Sequence, residues 1–504
     1  MTYSTHCLLA LATLIPARPK ASPSELDDVV DPAVQRVREL VRSFQSHPIT
    51  PAATAVFEQQ FQEILREMGR VVTQWTYNHV EPAAVDGLSK HVVFQNELYT
   101  RLNRKTPQNV WTLFGQLRLD RVGYRVSAKN GLPSIFPAAM ALGLVQGASP
   151  ALAERVGRLV GAAGMTQQRV LDQLYRDHGV GWGVKKLRAV SAALAAEVTV
   201  HRHEVQVQKV LEWLSQAESR RGRHKPVLAV GRDGVTLGLR YNGGCLFEVA
   251  STATVSVLDR RGKRLGTVYL ASTPESGQPT LSAALTKLLA DVLQRWDKAL
   301  PRLAYITDSG DNEVAYYKTT LATMTHPRTG EALKWIRVVD FYHASQRVWT
   351  MAEALFGKGR LATSWARKML KWLKKPGGVN RVLHSAAAFR HRTTLGKTAR
   401  AEFAKAYRYL RNRMRWMRYA EYRRVGVPLG SGVTEAACKT VYTQRLKLSG
   451  MRWKKAGAQT VLDLRVLQLS GVWAAAYQRV LENREQPQVW GPGGSGETEP
   501  ALAA

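Results

Sequence analysis

The most restrictive pattern in this chain lies between residues 227 and 339, where the apolar residues take the period of strands and then alternate between strands and helices. Three β segments come first, at 227–230, at 245–249 with 255–258, and at 265–270. A helix at 281–296, a strand at 303–307, a helix at 313–323 and a strand at 335–339 follow. Three antiparallel strands followed by right-handed crossovers predict an α/β fold with a mixed five-stranded sheet flanked by helices.

Three of these strands are each followed by an aspartate: Asp233, Asp308 and Asp340. If the first and fourth strands are neighbours, Asp233 and Asp308 lie side by side and can share a divalent ion. An aspartate after a strand also commonly caps a turn or a helix, so each has a structural alternative. Asp311 competes with Asp308 for the metal. Asp340 and His343 are either a metal-supporting pair or a histidine satisfied within a core.

A Gly-Ser-Gly turn at 430–432 predicts the start of a helix whose first turn carries Glu435. Three residues follow it at offsets of three, four and seven, the spacing of one helical stripe: Cys438, Lys439 and Tyr442. Glu435 either serves the helix dipole and pairs with Lys439, or completes an oxygen-only site with Asp233 and Asp308. Such a site suits Mg²⁺ or Mn²⁺, and two ions roughly 4 Å apart clamp the oxygens of a phosphoryl displacement.

The charge of the chain predicts a polyanionic partner, with nucleic acid before membrane. Lys and Arg total 72 against 39 Asp and Glu, a formal net charge of +33, and residues 346–430 alone hold 21 Lys or Arg and three acids. That segment is helical in pattern, with tryptophans that we interpret mainly as core. The cations on either side of the Glu435 turn are candidates to hold DNA phosphates: Arg411, Arg413, Arg415, Arg418, Lys439, Arg445, Lys447 and Arg452.

The N-terminal part is mainly helical in pattern, with an alternation at 111–126 that predicts a hairpin. Short helices are predicted at 151–163, 166–178 and 184–196, with Thr166 as an N-cap. This triplet is either ordinary helical packing or a helix-turn-helix that would contact DNA through Lys185, Lys186 and Arg188. A further helix over 205–214 leads to a basic segment at 219–226, where we place a domain boundary.

Cysteine usage and apolar runs exclude several classes of protein. The three cysteines are far apart, so neither a disulfide framework nor a zinc finger is expected. The early apolar run at 7–16 is too short to span a bilayer and lacks a basic n-region. We therefore expect an intracellular protein, cytoplasmic and associated with the nucleoid, with no membrane partner.

Four stretches resemble insertion-sequence transposases of the ISKra type, over roughly residues 112–473. They are Asp-Gly-Val at 233–235, the strand ending in Asp308, Val-Asp-Phe-Tyr-His-Ala at 339–344, and Val-Pro-Leu-Gly-Ser-Gly-Val-Thr-Glu-Ala-Ala-Cys-Lys at 427–439 followed by Arg-Leu-Lys-Leu-Ser-Gly-Met-Arg-Trp at 445–453. That family is similar to the DDE group, whose catalytic fold is ribonuclease-H-like.

The resemblance implies a metal triad of Asp233, Asp308 and Glu435 holding two Mg²⁺ (or Mn²⁺) ions, with a helical insertion between the second and third acids. It also implies adjacent first and fourth strands, and an enzyme that cleaves element ends and joins them to target DNA. The family usually has Gly-Asp-Gly-Ala after the fourth strand, whereas Ser-Gly-Asp-Asn follows Asp308 here. It usually has Ser where this chain has Ala436. The choice between Asp308 and Asp311 therefore stays open.

We accordingly divide the chain into six segments: 1–30 disordered or marginal, 31–225 a mainly helical region that binds DNA, 226–345 the first part of the catalytic core, 346–426 the basic helical insertion, 427–482 the C-terminal helices of the core, and 483–504 a disordered tail. The expected partner is double-stranded DNA, both element ends and target, bound by a homo-oligomer. The alternatives are an inactive DNA-binding descendant of such an enzyme and a ribonuclease-H-like nuclease that cuts without joining.

Overall fold

The computed structural model describes residues 23–126, 131–241, 244–483 and 488–490 of the chain. The described residues divide into two compact units. The first takes residues within Met1–Val160, Met165–Glu197 and Tyr477–Ala504, and the second takes Gly161–Gly164 and Val198–Ala476. The division therefore falls near residue 197, whereas the sequence pattern places it in the basic segment at 219–226.

The first unit begins with two long helices whose apolar faces meet, and the rings of Phe44 and Phe57 lie 4.8 Å apart. The first of these helices starts at Pro23 and contains Pro32, so residues 23–30 are helical and the expectation of disorder is wrong there. Residues 1–22 lie outside the described part. The helices from the N-terminal side are α1 (Pro23–Ser46), α2 (Pro51–Asn78), α3 (Pro137–Ala141), α4 (Pro150–Gly161), α5 (Gln167–His178) and α6 (Val184–Ser219).

Five strands lie between α2 and α3: β1 (His91–Phe94), β2 (Glu97–Arg101), β3 (Thr106–Thr112), β4 (Gly115–Arg121) and β5 (Tyr124–Val126). A hairpin is present, but it lies earlier than the one predicted within 111–126: β3 and β4 pair antiparallel with Thr112 opposite Gly115, and residues 124–126 pair with β2 instead. Alternate residues of this hairpin, Val110, Leu117 and Leu119, form a small buried cluster. Strands β1, β2 and β5 belong to a separate antiparallel sheet.

The predicted cap of α5 is confirmed, because the Thr166 side chain accepts a hydrogen bond from the Arg169 N–H at 3.1 Å. The two helices predicted at 184–196 and 205–214 are wrong as separate elements, since α6 runs without a break from Val184 to Ser219. The residues between the two predicted helices lie within this one helix. Its later apolar residues pack on the sheet of the second unit. This packing stabilises the helix through the segment where the apolar periodicity of the sequence weakens.

The second unit is built on a mixed five-stranded sheet, as the sequence predicts. Its strands are β6 (Val227–Tyr241), β7 (Gly244–Leu258), β8 (Arg264–Ser272), β9 (Arg302–Thr307) and β10 (Trp335–Val339). The order across the sheet is β10-β9-β6-β7-β8. Strands β6, β7 and β8 pair antiparallel, whereas β9 runs parallel to both β6 and β10. The first and fourth strands of the sheet, β6 and β9, are therefore neighbours.

Both faces of this sheet are buried, which explains why the strands are apolar without strict alternation. On one face Leu228, Val230 and Tyr305 pack with the later part of α6 and with α7 (Pro279–Arg295), which precedes β9. On the other face Val227, Ala229 and Ile306 pack with the helices that follow β10. Between β9 and β10 lie α8 (Asp311–Tyr316) and a π-helical turn at Tyr317–Leu321.

The basic segment is helical, as predicted: α9 (Phe341–Phe356), α10 (Arg360–Leu373), α11 (Gly378–Arg392), α12 (Lys397–Arg413) and α13 (Tyr419–Arg424). Its tryptophans belong to the core on that face of the sheet. Trp365 is buried, and Trp349, Trp372 and Trp416 are partly buried against the same cluster. The cations of these helices are left on the opposite, solvated side.

The chain then returns to the sheet through α14 (Gly432–Ala437), a π-helical turn at Cys438–Thr443, α15 (Gln444–Leu446) and α16 (Lys455–Leu469). The last of these packs on the sheet as predicted, with Gln459 Oε1 accepting the Thr273 N–H at 2.9 Å. Helix α17 (Trp473–Glu482) and strand β11 (Gln488–Trp490) follow, and β11 pairs with β1. The expected disordered tail is therefore wrong at residues 488–490, and the other residues after Asn483 lie outside the described part.

Helix α14 and its π-helical turn lie on one continuous path, but their side chains do not form the single stripe that the offsets predict. Tyr442 is fully buried and Lys439 is exposed. A π-helical turn changes the residues per turn, which rotates later side chains away from the α-helical positions.

Within the described residues, none of the helices is long and apolar enough to cross a membrane.

Candidate active site

The register of the sheet brings Asp233 and Asp308 to the same edge. Strand β6 pairs with β9 so that Val230 lies opposite Tyr305, and each aspartate is three residues further along its own chain segment. Burial raises the pKa of Asp233, and the neighbouring Asp308 carboxylate raises it as well. Two carboxylates this close repel each other unless a cation or a proton lies between them.

The sequence pattern predicts that Asp233 follows the end of its strand. In the structure it lies within β6 instead, opposite Thr252 of β7. The reason is that β6 has two partners of unequal length. Its parallel pairing with β9 ends at Val230, whereas its antiparallel pairing with β7 continues to Tyr241. The Asp233 carboxylate accepts the Gly234 N–H at 2.7 Å.

Asp308 is held by a tight turn directly after β9. Its Oδ1 accepts the Gly310 N–H at 2.9 Å, and the buried Ser309 between them has a positive φ of 64°. Two side chains of α12 bond to the same turn: the Tyr409 hydroxyl donates to the Asp308 carbonyl at 2.6 Å, and Arg413 Nη2 donates to the Ser309 carbonyl at 3.1 Å. Asp308 therefore has a fixed backbone, supported by the insertion helices.

Asp311, the alternative second acid, is exposed at the start of α8, whereas Glu313 two residues later is buried. A Cβ atom added to Gly310 would lie 2.4 Å from Glu313 Oε2 and 3.4 Å from Asp308 Oδ1, so both carboxylates surround this glycine. Burial raises the pKa of Glu313 to about 7, and the Asp308 charge adds to the shift. Glu313 is thus a member of the acid cluster that the sequence pattern did not single out.

Arg232 is the second buried charge that sequence reasoning missed. It lies next to Asp233 on β6 and is 1% exposed. Its guanidinium bonds to Gln278 Oε1 at 2.9 Å and Ser282 Oγ at 3.0 Å, and it lies over the Tyr316 ring. Its charge opposes the rise in the pKa of Glu313. The sequence offers no signal for this burial, since arginine is usually exposed.

Helix α14, which carries Glu435, docks on the sheet through Thr434. The Thr434 hydroxyl lies 2.6 Å from the Thr254 hydroxyl of β7, and both residues are buried. A Cβ on Gly231 would lie 1.9 Å from Thr434 Oγ1. Only glycine at this position of β6 therefore lets Thr434 of α14 pack directly against the strand. This contact sets the height of Glu435 above the sheet.

One turn further on, Cys438 bonds to Asp233 and so joins this helix to the acid cluster. Burial raises the pKa of the Cys438 thiol far above its ordinary value, and the charges of Asp233, Glu435 and Glu313 add to the shift. The thiol is therefore held protonated as a hydrogen-bond donor to Asp233. Because Glu435 and Glu313 both act on Cys438, three acids converge on the neighbourhood of this sulfur.

Asp340 is buried, and both of its carboxylate oxygens accept hydrogen bonds within the protein. It is 1% exposed and is the N-cap of α9, accepting the backbone N–H groups of Tyr342 at 2.5 Å and His343 at 3.2 Å. Its other oxygen accepts the Ser431 hydroxyl at 2.6 Å and the Ser431 N–H. The predicted partnership with His343 is thus a helix cap, and Asp340 ties the Gly-Ser-Gly turn to the end of β10. The half-buried His343 opposes the rise in the pKa of Asp233.

The donor set can be tested against a divalent ion. Asp233 and Asp308 offer carboxylate oxygens from adjacent positions, and Glu435 approaches from α14 with an exposed side chain. Oxygen donors of this kind suit Mg²⁺ or Mn²⁺, and a cation between the two aspartates would offset the repulsion by which Asp308 adds to the rise in the pKa of Asp233. Over the described residues, no three His, Cys, Asp or Glu side chains converge closely enough to hold an ion as they stand.

The predicted phosphate-binding cations fall into two groups. Most are exposed beside or after the acid-bearing helices: Arg411, Arg415, Arg418, Lys439, Lys447 and Arg452, with Arg413 half-buried. Arg418 is paired with Glu421 at 2.9 Å. Arg445 is the exception, because it is 1% exposed beside the Trp453 ring and burial lowers its pKa to about 10. The prediction that Arg445 contacts DNA conflicts with this burial.

The N-terminal cations are placed at the start of α6. Lys185 is exposed, Lys186 is half-buried and donates to the Gln146 carbonyl, and Arg188 Nη2 donates to Gln167 Oε1 at 2.8 Å. Burial lowers the pKa of Lys186. Two of the three therefore also serve packing within the first unit.

Comparison of the whole chain with models of known protein families and with curated proteins found no match.

Proposed function

We propose that this chain is a DNA transposase of the DDE group that cleaves DNA at element ends and joins the freed ends to a target. The observation that carries the proposal is the meeting of Asp233 and Asp308 at one edge of the sheet, with the helix of Glu435 docked beside them. The mixed sheet with adjacent first and fourth strands supports a ribonuclease-H-like catalytic fold, which the resemblance implies.

In this proposal Asp233, Asp308 and Glu435 bind two Mg²⁺ or Mn²⁺ ions. When bound, such ions activate a nucleophilic oxygen and stabilise the leaving oxygen of a phosphoryl transfer. The residues of the chain position the ligands: the turn at Ser309 fixes Asp308, the Cys438 thiol orients Asp233, and Thr434 fixes the helix that carries Glu435. Water attacks first and breaks the bond between phosphorus and the 3′ oxygen at the element end, which leaves a 3′ hydroxyl and a 5′ phosphate. The 3′ hydroxyl then attacks a target phosphodiester, forms a new bond to phosphorus and displaces the 3′ oxygen of the target strand, which leaves as a hydroxyl.

The charge distribution supports DNA as the substrate. The insertion leaves exposed arginines near the acid cluster, and Arg413 of α12 bonds to the same turn as Asp308. Phosphate contacts by such cations position a duplex without reading its sequence. The first unit, with α5 capped at Thr166 and followed by α6, is the candidate for recognition of the element ends. We also propose that the protein acts as a homo-oligomer on DNA.

The test is an assay for cutting and joining. The DNA flanking the gene is sequenced for inverted repeats, and a labelled duplex ending in one repeat is incubated with the full-length protein, a supercoiled plasmid and Mg²⁺, with EDTA as the control. We expect labelled DNA joined to plasmid only with Mg²⁺. Cutting without joining would favour the nuclease, and binding with neither reaction would favour an inactive DNA-binding protein.

A further inference from the structure

A hollow between α9 and α12 is lined by four cations, an asparagine and a tyrosine, together with Ala401 and Ala404. Its volume is about 440 Å³, and the lining side chains that matter here are Arg347, Lys405, Arg408, Tyr409, Asn412 and Arg413. Lys405, Arg408 and Asn412 are exposed at its mouth, while Arg347 and Arg413 are half-buried. Among the described residues, no carboxylate lines this hollow.

The two inner arginines are organised around one aromatic ring. The guanidinium carbons of Arg347 and Arg413 lie 5.0 and 4.3 Å from the centre of the Tyr409 ring. The Nε atoms of both arginines are buried without a hydrogen-bond partner in the described structure. Buried polar groups normally have partners, so these two side chains carry more hydrogen-bond donors than the described structure satisfies. The hollow thus has the charge and the donors of an anion site, held in place by stacking.

The hollow is connected directly to the acid cluster. Tyr409, which lies between the two arginines, donates its hydroxyl hydrogen bond to the Asp308 carbonyl at 2.6 Å. Arg413 bonds to the next carbonyl, that of Ser309, at 3.1 Å. An anion in the hollow would therefore be held by side chains that also hold the backbone of a proposed metal ligand.

We propose that this hollow binds a backbone phosphate of a DNA strand, close to the phosphodiester on which the acids act. The inference rests on the proposed function for its choice of DNA as the polyanion. Arginine forks match phosphate oxygens, and Lys405 and Asn412 add donors at the mouth. The bound phosphate fixes the DNA strand. Tyr409 and Arg413 hold it at a set distance from the Asp308 turn, because the same side chains bond to the carbonyls of that turn.

The first experiment tests whether the hollow neutralises phosphate. Lys405→Gln with Arg408→Gln removes two exposed cations from its mouth without disturbing the stacked arginines. The control pair, Lys298→Gln with Lys334→Gln, removes the same charge from two exposed positions that do not line the hollow. Fluorescence anisotropy of a labelled random-sequence duplex, without divalent ions, gives the affinity of each full-length protein over a series of KCl concentrations.

We expect the hollow pair to bind about tenfold more weakly at moderate salt. Its salt slope should be shallower by about 0.9 for each phosphate that the variant no longer neutralises. The control pair should keep nearly the wild-type slope, and circular dichroism checks that both pairs are folded. A hollow pair with the wild-type slope, or a control pair reduced equally, would overturn the proposal. This arm needs no cleavage, so it stands even if the transposase proposal fails.

The second experiment tests where the phosphate lies. Single neutral methylphosphonates are placed along the cleaved strand of an element-end duplex, and binding is measured for wild type and the hollow pair. We expect one or two adjacent positions near the cleaved bond to weaken wild type but not the pair, because the variant already lacks the interaction with that phosphate. Equal losses in both proteins at every position would show that no phosphate near the reaction enters the hollow.

Discussion

Gly231→Ala should separate α14 from the sheet. The new Cβ would lie 1.9 Å from Thr434 Oγ1, whereas ordinary contact needs about 3.4 Å, so one of the two must move by about 1.5 Å. Thr434 can rotate only by breaking its 2.6 Å bond to Thr254, which leaves two buried hydroxyl groups without that partner. Either route costs about 1–3 kcal/mol, from overpacking or from unpaired hydroxyls.

The activity should fall further than the stability. Movement of α14 carries Glu435 and Cys438 away from Asp233, and a displacement of 1 Å at a catalytic centre can cost about 100-fold in rate. Thr434→Ala should remove most of the clash, so the double variant should be less destabilised than the sum of the single variants, by about 1 kcal/mol or more.

Urea unfolding followed by tryptophan fluorescence measures the stabilities, and Mg²⁺-dependent cleavage of element-end DNA measures the rates. Gly432→Ala is the matched control, because a Cβ there meets nothing within 4 Å. If Gly231→Ala matched Gly432→Ala in both assays, or if its effect simply added to that of Thr434→Ala, the docking argument would be refuted.

Three further outcomes are expected. Asp311→Asn should keep measurable cleavage, since Asp311 is exposed while Asp308 is held by its turn; inactivity would reverse their roles. In EDTA, Glu313 should contribute a loss of up to about 3 kcal/mol of stability as pH rises from 4.5 to about 7, because its buried carboxyl group keeps its proton longer than in the unfolded chain; the difference between wild type and Glu313→Gln in urea unfolding should show this loss, and a difference independent of pH would refute the assignment. Arg445→Gln should lower the melting temperature, whereas Lys447→Gln should weaken only DNA binding, and the opposite pattern would contradict the burial of Arg445.

The parts of the fold that could be predicted are those whose pattern is local. Strand β10 begins and ends at the predicted residues, and β9 ends at the predicted residue 307. These strand ends depend on short apolar runs, which the sequence displays directly. The adjacency of β6 and β9 is only a condition in the argument from the order of elements, and the resemblance alone implies it.

The parts that could not be predicted depend on partners distant in the chain. Strand β6 continues to Tyr241 because β7 pairs with it there. The apolar residues at 235, 237 and 239 alternate as a strand requires, but Asp233 and the glycines at 234 and 238 interrupt the pattern. Glu313 and Arg445 are buried although their residue types are usually exposed. Asp340 was recognised as important, but its bonds to Ser431, 91 residues away, decide that it fixes the Glu435 turn.

The central claim is that Asp233, Asp308 and Glu435 together bind the ions that act on DNA. The most direct test compares wild type with Asp233→Asn, Asp308→Asn and Glu435→Gln for cleavage of element-end DNA in Mg²⁺, with DNA affinity measured beside it. Each substitution keeps the size of the side chain and removes its charge. We predict that each variant loses cleavage while binding DNA about as well as wild type. Near wild-type cleavage by any one of them would remove that residue from the site and contradict the account.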